Sequence, residues 1–158
     1  GYVDIDNFKA FNDRYGFARG DDLIRMTGRL LINVIRRLSP KKSFVGHIGG
    51  DDFFFITESG LVHESCNQII QNFDLISSTF ANDEDRAKGY IECEDRSGKI
   101  RQFPLPTISI AVIDSAVTEI SHPGEASSIA SEIKKEVKKI SGSNFMINRR
   151  KRFRKDAG

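Results

Sequence analysis

The chain is predicted to be an α+β domain, with helices packed on a mainly antiparallel central sheet. Three observations predict this. Short apolar runs of strand length alternate with longer segments of helical apolar spacing. Two pairs of those runs are joined by glycine-containing turns and read as hairpins. The order of strands and helices lacks the regular strand–helix repeat of a parallel α/β sheet. The 158 residues suffice for one domain with a real core. With 39% apolar and 29% charged residues, the composition is that of an ordinary soluble globular protein.

Tyr2 to Ile5 reads as a strand leading into Asp6, and Asn7 to Tyr15 as a short helix. Gly16 and Gly20 are expected to break that helix, with Asp21-Asp22 as the acidic first turn of the next. Leu23, Leu30, Leu31, Val34, Ile35 and Leu38 recur at helical spacing, and Ser39-Pro40 stops the helix. Phe44–Ile48 and Phe53–Thr57 form the first hairpin around Gly49-Gly50. A third helix spans roughly Leu61 to Phe80, with Cys66, Ile69, Ile70, Phe73 and Phe80 as its buried face. Asn82-Asp83-Glu84-Asp85 reads as a solvated loop. Gly89–Glu94 and Ile100–Phe103 form the second hairpin, turned by Asp95-Arg96-Ser97-Gly98. Thr107–Ile113, rich in β-branched residues, reads as a central strand. Pro123 opens a helix with Ala126, Ile129, Ile133, Val137 and Ile140 facing inward, ended by Gly142. Phe145-Met146-Ile147 is a last short strand. Residues 1–148 are taken as one domain and 149–158 as a tail.

The net charge of +2 argues neither for nor against nucleic acid. The tail Arg149–Lys155 carries six basic groups in seven residues. It reads as a solvated terminus, with phosphates or anionic lipid as the sharper alternative. Cys66 and Cys93 make no disulfide framework, so a reducing cytoplasm is expected. No apolar run approaches a membrane span and no signal peptide opens the chain. The abrupt start at Tyr2-Val3 predicts a missing upstream portion.

Chemistry concentrates at two places. Asp51 and Asp52 sit at the turn of a stiff hairpin, where Gly49 and Gly50 let a bulky anion approach. Asp4-Ile5-Asp6 ends another apolar run. Carboxylates from two neighbouring strand ends make a hard oxygen site suited to Mg²⁺ holding a nucleotide phosphate. The plainer alternatives are helix capping for Asp4 and Asp6 and a simple I′ hairpin for Gly49–Asp52. His47, two residues before Gly49, is the one histidine near this place, and it points either to solvent or to core.

The segments Asp4-Ile5-Asp6-Asn7-Phe8-Lys9-Ala10-Phe11-Asn12-Asp13, Tyr15-Gly16, Gly20-Asp21 and Gly49-Gly50-Asp51-Asp52-Phe53 together resemble the GGDEF family, from Asp4 through Asn144. The resemblance implies the GGDEF fold, akin to nucleotidyl cyclases and polymerase palms. It also implies diguanylate cyclase activity, the condensation of two GTP into cyclic di-GMP with Mg²⁺ or Mn²⁺ across a face-to-face homodimer. Asp4, Asp51, Asp52 and the Ile5 carbonyl are then the metal ligands, and Asp51 or Asp52 helps activate the attacking hydroxyl. Lys9 and the amides at Asn7 and Phe8 hold phosphates at a helix start. Asn12 and Asp21 match the positions that read guanine, and Lys139 matches a late phosphate-binding lysine. On spacing alone, Lys9 and Lys139 are exposed lysines. An upstream sensor or a phosphodiesterase domain is expected in the full-length protein. The domain is then cytoplasmic, including as the cytoplasmic part of a membrane-anchored protein.

Three departures stand out. Asp52 replaces the family's glutamate, withdrawing the charge by about one methylene where an ångström costs on the order of a hundredfold. Ser143 stands where the family often carries an arginine, and Arg149 or Arg150 is the available substitute. Pro40-Lys41-Lys42-Ser43 replaces the Arg-x-x-Asp product site, so no inhibitory site is expected. Asp52 and Ser143 also admit a non-catalytic member that binds GTP or cyclic di-GMP and controls a neighbouring domain. A polymerase-type or CRISPR-type palm is the third reading. The residues around Asn12 and Asp21, and the lack of a basic channel in the body of the chain, speak against a nucleic-acid partner.

Overall fold

The computed structural model describes residues 1–94 and 98–148. The basic tail, with Arg149 and Arg150, and residues 95–97 of the second hairpin turn lie outside the described residues. Five strands form the main sheet: β1 (Tyr2–Ile5), β2 (Phe44–Gly49), β3 (Asp52–Ile56), β6 (Ile108–Val112) and β7 (Asn144–Ile147). Their order is β2-β3-β1-β6-β7. All neighbours are antiparallel except β6 and β7. A separate ribbon pairs β4 (Tyr90–Glu94) with β5 (Ile100–Pro104). The helices are α1 (Phe8–Tyr15), α2 (Phe17–Leu38), α3 (Val62–Ser77), α4 (Asp83–Lys88) and α5 (Pro123–Val137).

Alternation along the strands separates two unequal faces. Val3, Ile5, Phe53, Phe55, Ile108, Ile110 and Val112 join Phe11, Leu23, Leu31, Cys66, Ile69 and Phe73 in the main core under α1, α2 and α3. The opposite face carries Ala111, which packs with Ile129 and Ile133 of α5. Strand β6 is therefore buried on both sides, apolar at every position except Ser109. Helix α5 starts with Pro123 after His122, whose Nδ1 accepts from the Glu125 amide at 3.2 Å.

Several local expectations change. Gly20 does not break a helix: α2 begins at Phe17, so Asp21 and Asp22 fall after its first turn. Gly16, at φ 83°, makes the break alone. Gly20 is needed for proximity instead, because a Cβ there would lie 1.8 Å from Asn12 Oδ1. Asn82–Asp85 is not a loop. Asn82 caps α4 by accepting from the Asp85 amide at 2.7 Å, and Asp83, Glu84 and Asp85 form its acidic first turn. Helix α5 ends at Val137, before Gly142, so Ile140 falls out of helical phase and is exposed. Gly142, at φ 81°, serves the turn into β7.

Candidate functional site

Strand pairing builds the acidic site. Asp4 lies opposite Asp52 of β3 on one side and Ser109 of β6 on the other. The Ile5 amide donates to the Asp51 carbonyl at 3.3 Å, which draws the β2–β3 turn onto the end of β1. Two acidic segments 45 residues apart thus meet at one end of neighbouring interior strands. The turn itself is not of type I′, whose two central residues both need positive φ. Gly50 has φ 56°, but Asp51 does not share it. A register shift between His47 and Gly49 marks a bulge beside the turn. Of the two directions open to it, His47 takes the solvent side. It stacks on Phe53 at 4.5 Å, and its Nε2 lies 2.8 Å from the Gly50 carbonyl, so Nε2 carries a proton and donates. The histidine braces the glycine turn.

The carboxylates differ in surroundings. Asp4 is buried. Burial pushes the Asp51 carboxyl up, its own backbone amide pulls it down, and the nearby charges of Asp4 and Asp52 push it up further. Asp6 is also pushed up by burial, against hydrogen bonds from Ser109 and Thr107 and the charge of Lys138. Ser109 Oγ donates to Asp6 at 2.8 Å and Thr107 Oγ1 at 3.1 Å, so Asp6 is tied to β6.

Two lysines of α5 that the sequence does not single out, Lys134 and Lys138, reach this cluster. Lys134 Nζ contacts Asp4 Oδ2 and donates to Asp52 Oδ1 at 2.5 Å. Lys138 Nζ contacts Asp4 Oδ1, without hydrogen-bond geometry, and lies 3.6 Å from Asp6 Oδ1. The signal was present in the spacing. Lysines at i and i+4 on a helix rise about 6 Å, close to the repeat of carboxylates at i and i+2 on a strand, about 6.6 Å. Lys139, one residue on, points elsewhere and pairs with Glu136 at 2.8 Å.

The other candidate residues lie on α1 and α2. Asn7 is the one described non-glycine residue with positive φ, at 59°, a conformation that asparagine tolerates. It turns the chain from β1 into α1, whose first amides, those of Phe8, Lys9 and Ala10, precede the first intrahelical bond, from the Phe11 amide to the Asn7 carbonyl. Lys9 is exposed on α1, and its charge is felt at Cys93 of β4. Asn12 packs against Gly20, which brings it beside exposed Asp21, and its Oδ1 is buried without a donor. Ser143 does not face the acids: its hydroxyl accepts from the Ile108 amide at 3.0 Å and donates to Asp74 of α3. Lys42, in the Pro40–Ser43 window that replaces the family's product-site motif, lies 3.5 Å from Glu58.

Among the described residues, no three His, Cys, Asp or Glu side chains converge as a ready metal cage. The donors nonetheless suit Mg²⁺ in kind. They are hard oxygens, Asp4 Oδ1 has no hydrogen-bond donor, and Mg²⁺ takes only one or two carboxylates, completing its shell with water and phosphate.

Comparison with known proteins agrees with this arrangement. The family described as "Diguanylate cyclase, GGDEF domain" matches residues 2–89. A diguanylate cyclase of Vibrio cholerae is 34% identical over 74 residues, covering 45% of this chain and 22% of that protein. Diguanylate cyclase DgcP of Escherichia coli is 25% identical over 130 residues, covering 82% of this chain and 33% of that protein. The chain thus spans a third or less of either relative. Among solved structures, the active GGEEF domain of a Vibrio cholerae diguanylate cyclase has a TM-score of 0.55 at 20% identity, over 94% of this chain and 81% of that one. An EAL/GGDEF domain protein of M. capsulatus has the same TM-score at 18% identity, over 92% and 81%. Among the described residues no helix is long and apolar enough to cross a membrane. The family match takes in Asp4, Asn12, Asp21 and the whole Gly49–Asp52 turn, and the shared fold covers more of the chain than that match; the chain belongs to the GGDEF domain family of diguanylate cyclases.

Proposed function

We propose that this domain holds one GTP between the β1–α1 turn and the β2–β3 turn, and that two copies meet face to face to make cyclic di-GMP. The observation that carries this reading is the register of Asp4 with Asp52 on neighbouring strands, with Asp51 in the adjoining glycine turn. Asp4, Asp51 and the Ile5 carbonyl would hold Mg²⁺ or Mn²⁺, with Asp52 beside them. Bound there, the cation supplies charge neutralisation to the triphosphate. The chain's own residues then orient the substrate. The first amides of α1 and Lys9 face phosphate oxygens. Asp21 accepts from guanine N1–H and N2–H, which adenine lacks, and Asn12 completes the recognition. Asp51, whose carboxyl burial raises, is the better placed of the turn acids to accept the ribose hydroxyl proton at a carboxylate oxygen. Lys139 is available to the phosphates once released from Glu136. Each domain supplies half of the substrate pair, so catalysis needs a symmetric dimer. A sensor or phosphodiesterase domain is expected beside it in the full-length protein. The need for GTP puts the domain in the cytoplasm.

One observation favours a second reading, in which the domain binds nucleotide and regulates a neighbour without turnover. Lys134 already spans Asp4 and Asp52, and Ser143, in the place of the family's arginine, is committed to Ile108 and Asp74. The two readings separate when the dimerised domain is incubated with GTP and Mg²⁺ and the products are resolved by chromatography. Cyclic di-GMP supports the cyclase. GTP binding by calorimetry without product supports the regulator, and absence of both rejects each.

A further inference from the structure

Among the described helices, α5 covers the minor face of the sheet, anchored by Ile129, Ile133 and Val137. One step round from that apolar stripe, Ala130, Lys134 and Lys138 form a line at four-residue spacing that runs over Asp4 and Asp6. The two lysines do not share the work equally. Lys138 contacts the other oxygen of Asp4, and its second neighbour, 3.6 Å away, is Asp6, whose oxygens already accept from Ser109 and Thr107. Lys134 instead joins Asp4 of β1 to Asp52 of β3, the two carboxylates that strand register places side by side. Its side chain is only 28% exposed, well below the 68% of Lys139.

We propose that Lys134 is an internal counter-cation, which occupies the position between Asp4 and Asp52 in the nucleotide-free domain and must leave before a divalent cation binds. This rests on the assignment of these carboxylates to a cation under the function proposed above. The physics is a competition for the same oxygens. Without a cation, three neighbouring carboxylates, one of them buried, repel one another, and the ammonium relieves that repulsion. A divalent ion carries twice the charge and has no side-chain entropy to lose, but the lysine is tethered and always present. The apparent metal affinity is therefore the intrinsic affinity reduced by the fraction of molecules whose carboxylates are free. Lysine suits such a role better than arginine, because it is a point charge on a flexible stem, not a planar fork fixed on its partner. The released ammonium remains close to the anionic ligand that arrives with the metal.

The test uses the whole chain without nucleotide. Calorimetric titration with Mn²⁺ is expected to show binding about tenfold tighter in Lys134→Met than in the parent, corresponding to a lysine that vacates the site in about one molecule in ten. Lys135→Met, which removes an exposed charge from the same helix, is expected to leave the affinity unchanged. The parent chain gives a second readout that needs no variant. The ammonium resonance of Lys134, protected by its two carboxylates, is expected to shift or vanish as Mg²⁺ saturates the site. Equal Mn²⁺ affinity in the parent and Lys134→Met overturns the inference and leaves the metal assignment standing. A Lys134 resonance unmoved while Mg²⁺ binds does the same, including where the variant fails to fold. No divalent binding by either chain overturns both.

Discussion

Asp4 and Asp85 are the two acidic residues that the described fold buries, and it treats them in opposite ways. Asp85, at the first turn of α4, meets a closed set of donors. Arg14 Nε lies 2.9 Å from one oxygen and Arg14 Nη2 3.2 Å from the other, and the Tyr15 hydroxyl donates at 2.5 Å. The Arg14 guanidinium beside it holds its carboxyl below the usual carboxylate range, against the opposing effect of burial. Asp4 has only lysine ammoniums, and the one against its Oδ1, from Lys138, lacks hydrogen-bond geometry. Both of its strand neighbours are polar, one of them another acid. The planar arginine fork fixes a carboxylate, whereas a lysine neutralises it and can leave. The first arrangement joins α1 to α4 for stability; the second keeps a ligand available.

The comparison breaks most visibly at Asp85. Asp85→Asn is expected to destabilise the domain by about 3 kcal/mol, because Arg14 and Tyr15 lose their charged acceptor in a buried position. The folded carboxyl is depressed, so its contribution is complete above the unfolded carboxylate range and is lost as pH falls through the folded value. Urea unfolding across pH should show parent and variant converging towards acid. A constant gap between them would mean that the charge of Asp85 is not what matters.

A smaller effect is expected on the nucleotide side. In Gly20→Ala the new Cβ meets Asn12 Oδ1, the far end of a mobile side chain, so stability should hold within about 1 kcal/mol. Asn12 must rotate away, however, and GTP affinity should fall about tenfold, or about 1.4 kcal/mol. Thermal unfolding and GTP calorimetry on the same variant separate the two. Unchanged GTP affinity would remove Asn12 from the site.

The smallest effect carries the opposite sign to that at Asp85. The Asp51 carboxyl is raised in the folded chain, first by burial and then by the acids around it. The folded state then holds its proton more tightly than the unfolded one, so stability from this group falls as pH rises through the unfolded and then the folded value. Asp51→Asn is therefore expected to raise stability at neutral pH by roughly 0.5 kcal/mol, after discounting for solvent screening. Mg²⁺ is expected to raise the thermal midpoint of the parent but not that of Asp51→Asn. A variant less stable than the parent at neutral pH would place Asp51 with Asp85, as a structural acid.

Much of this contrast could be read along the chain. The Gly49–Asp52 turn, the Asp4–Asp6 strand end and the apolar stripes of α2 and α3 all announce themselves within a few residues, because turns, caps and amphipathic faces depend on near neighbours. The misreadings also have local causes. Asn82–Asp85 carries a good N-cap and an acidic first turn, but a helix as short as α4 shows no apolar period to confirm them. Gly20 was taken as a breaker because its real constraint, the Asn12 side chain, comes from the preceding helix. Ser143 gives no local hint of its bonds to Ile108 and Asp74, which lie 35 and 69 residues away.

Residue order was enough to name the chemistry available: hard carboxylate oxygens beside flexible glycines, an amide and an acid suited to guanine, and a sheet with helices on it. Folding settled which charges neutralise which. The partnership of Asp4 with Asp52, and of both with Lys134, depends on strand register and on the helical phase of α5, and each of these is set by how the apolar faces lock together. Side-chain electrostatics act over a few ångströms in space, and only the packed core brings residues 4, 52 and 134 within that range.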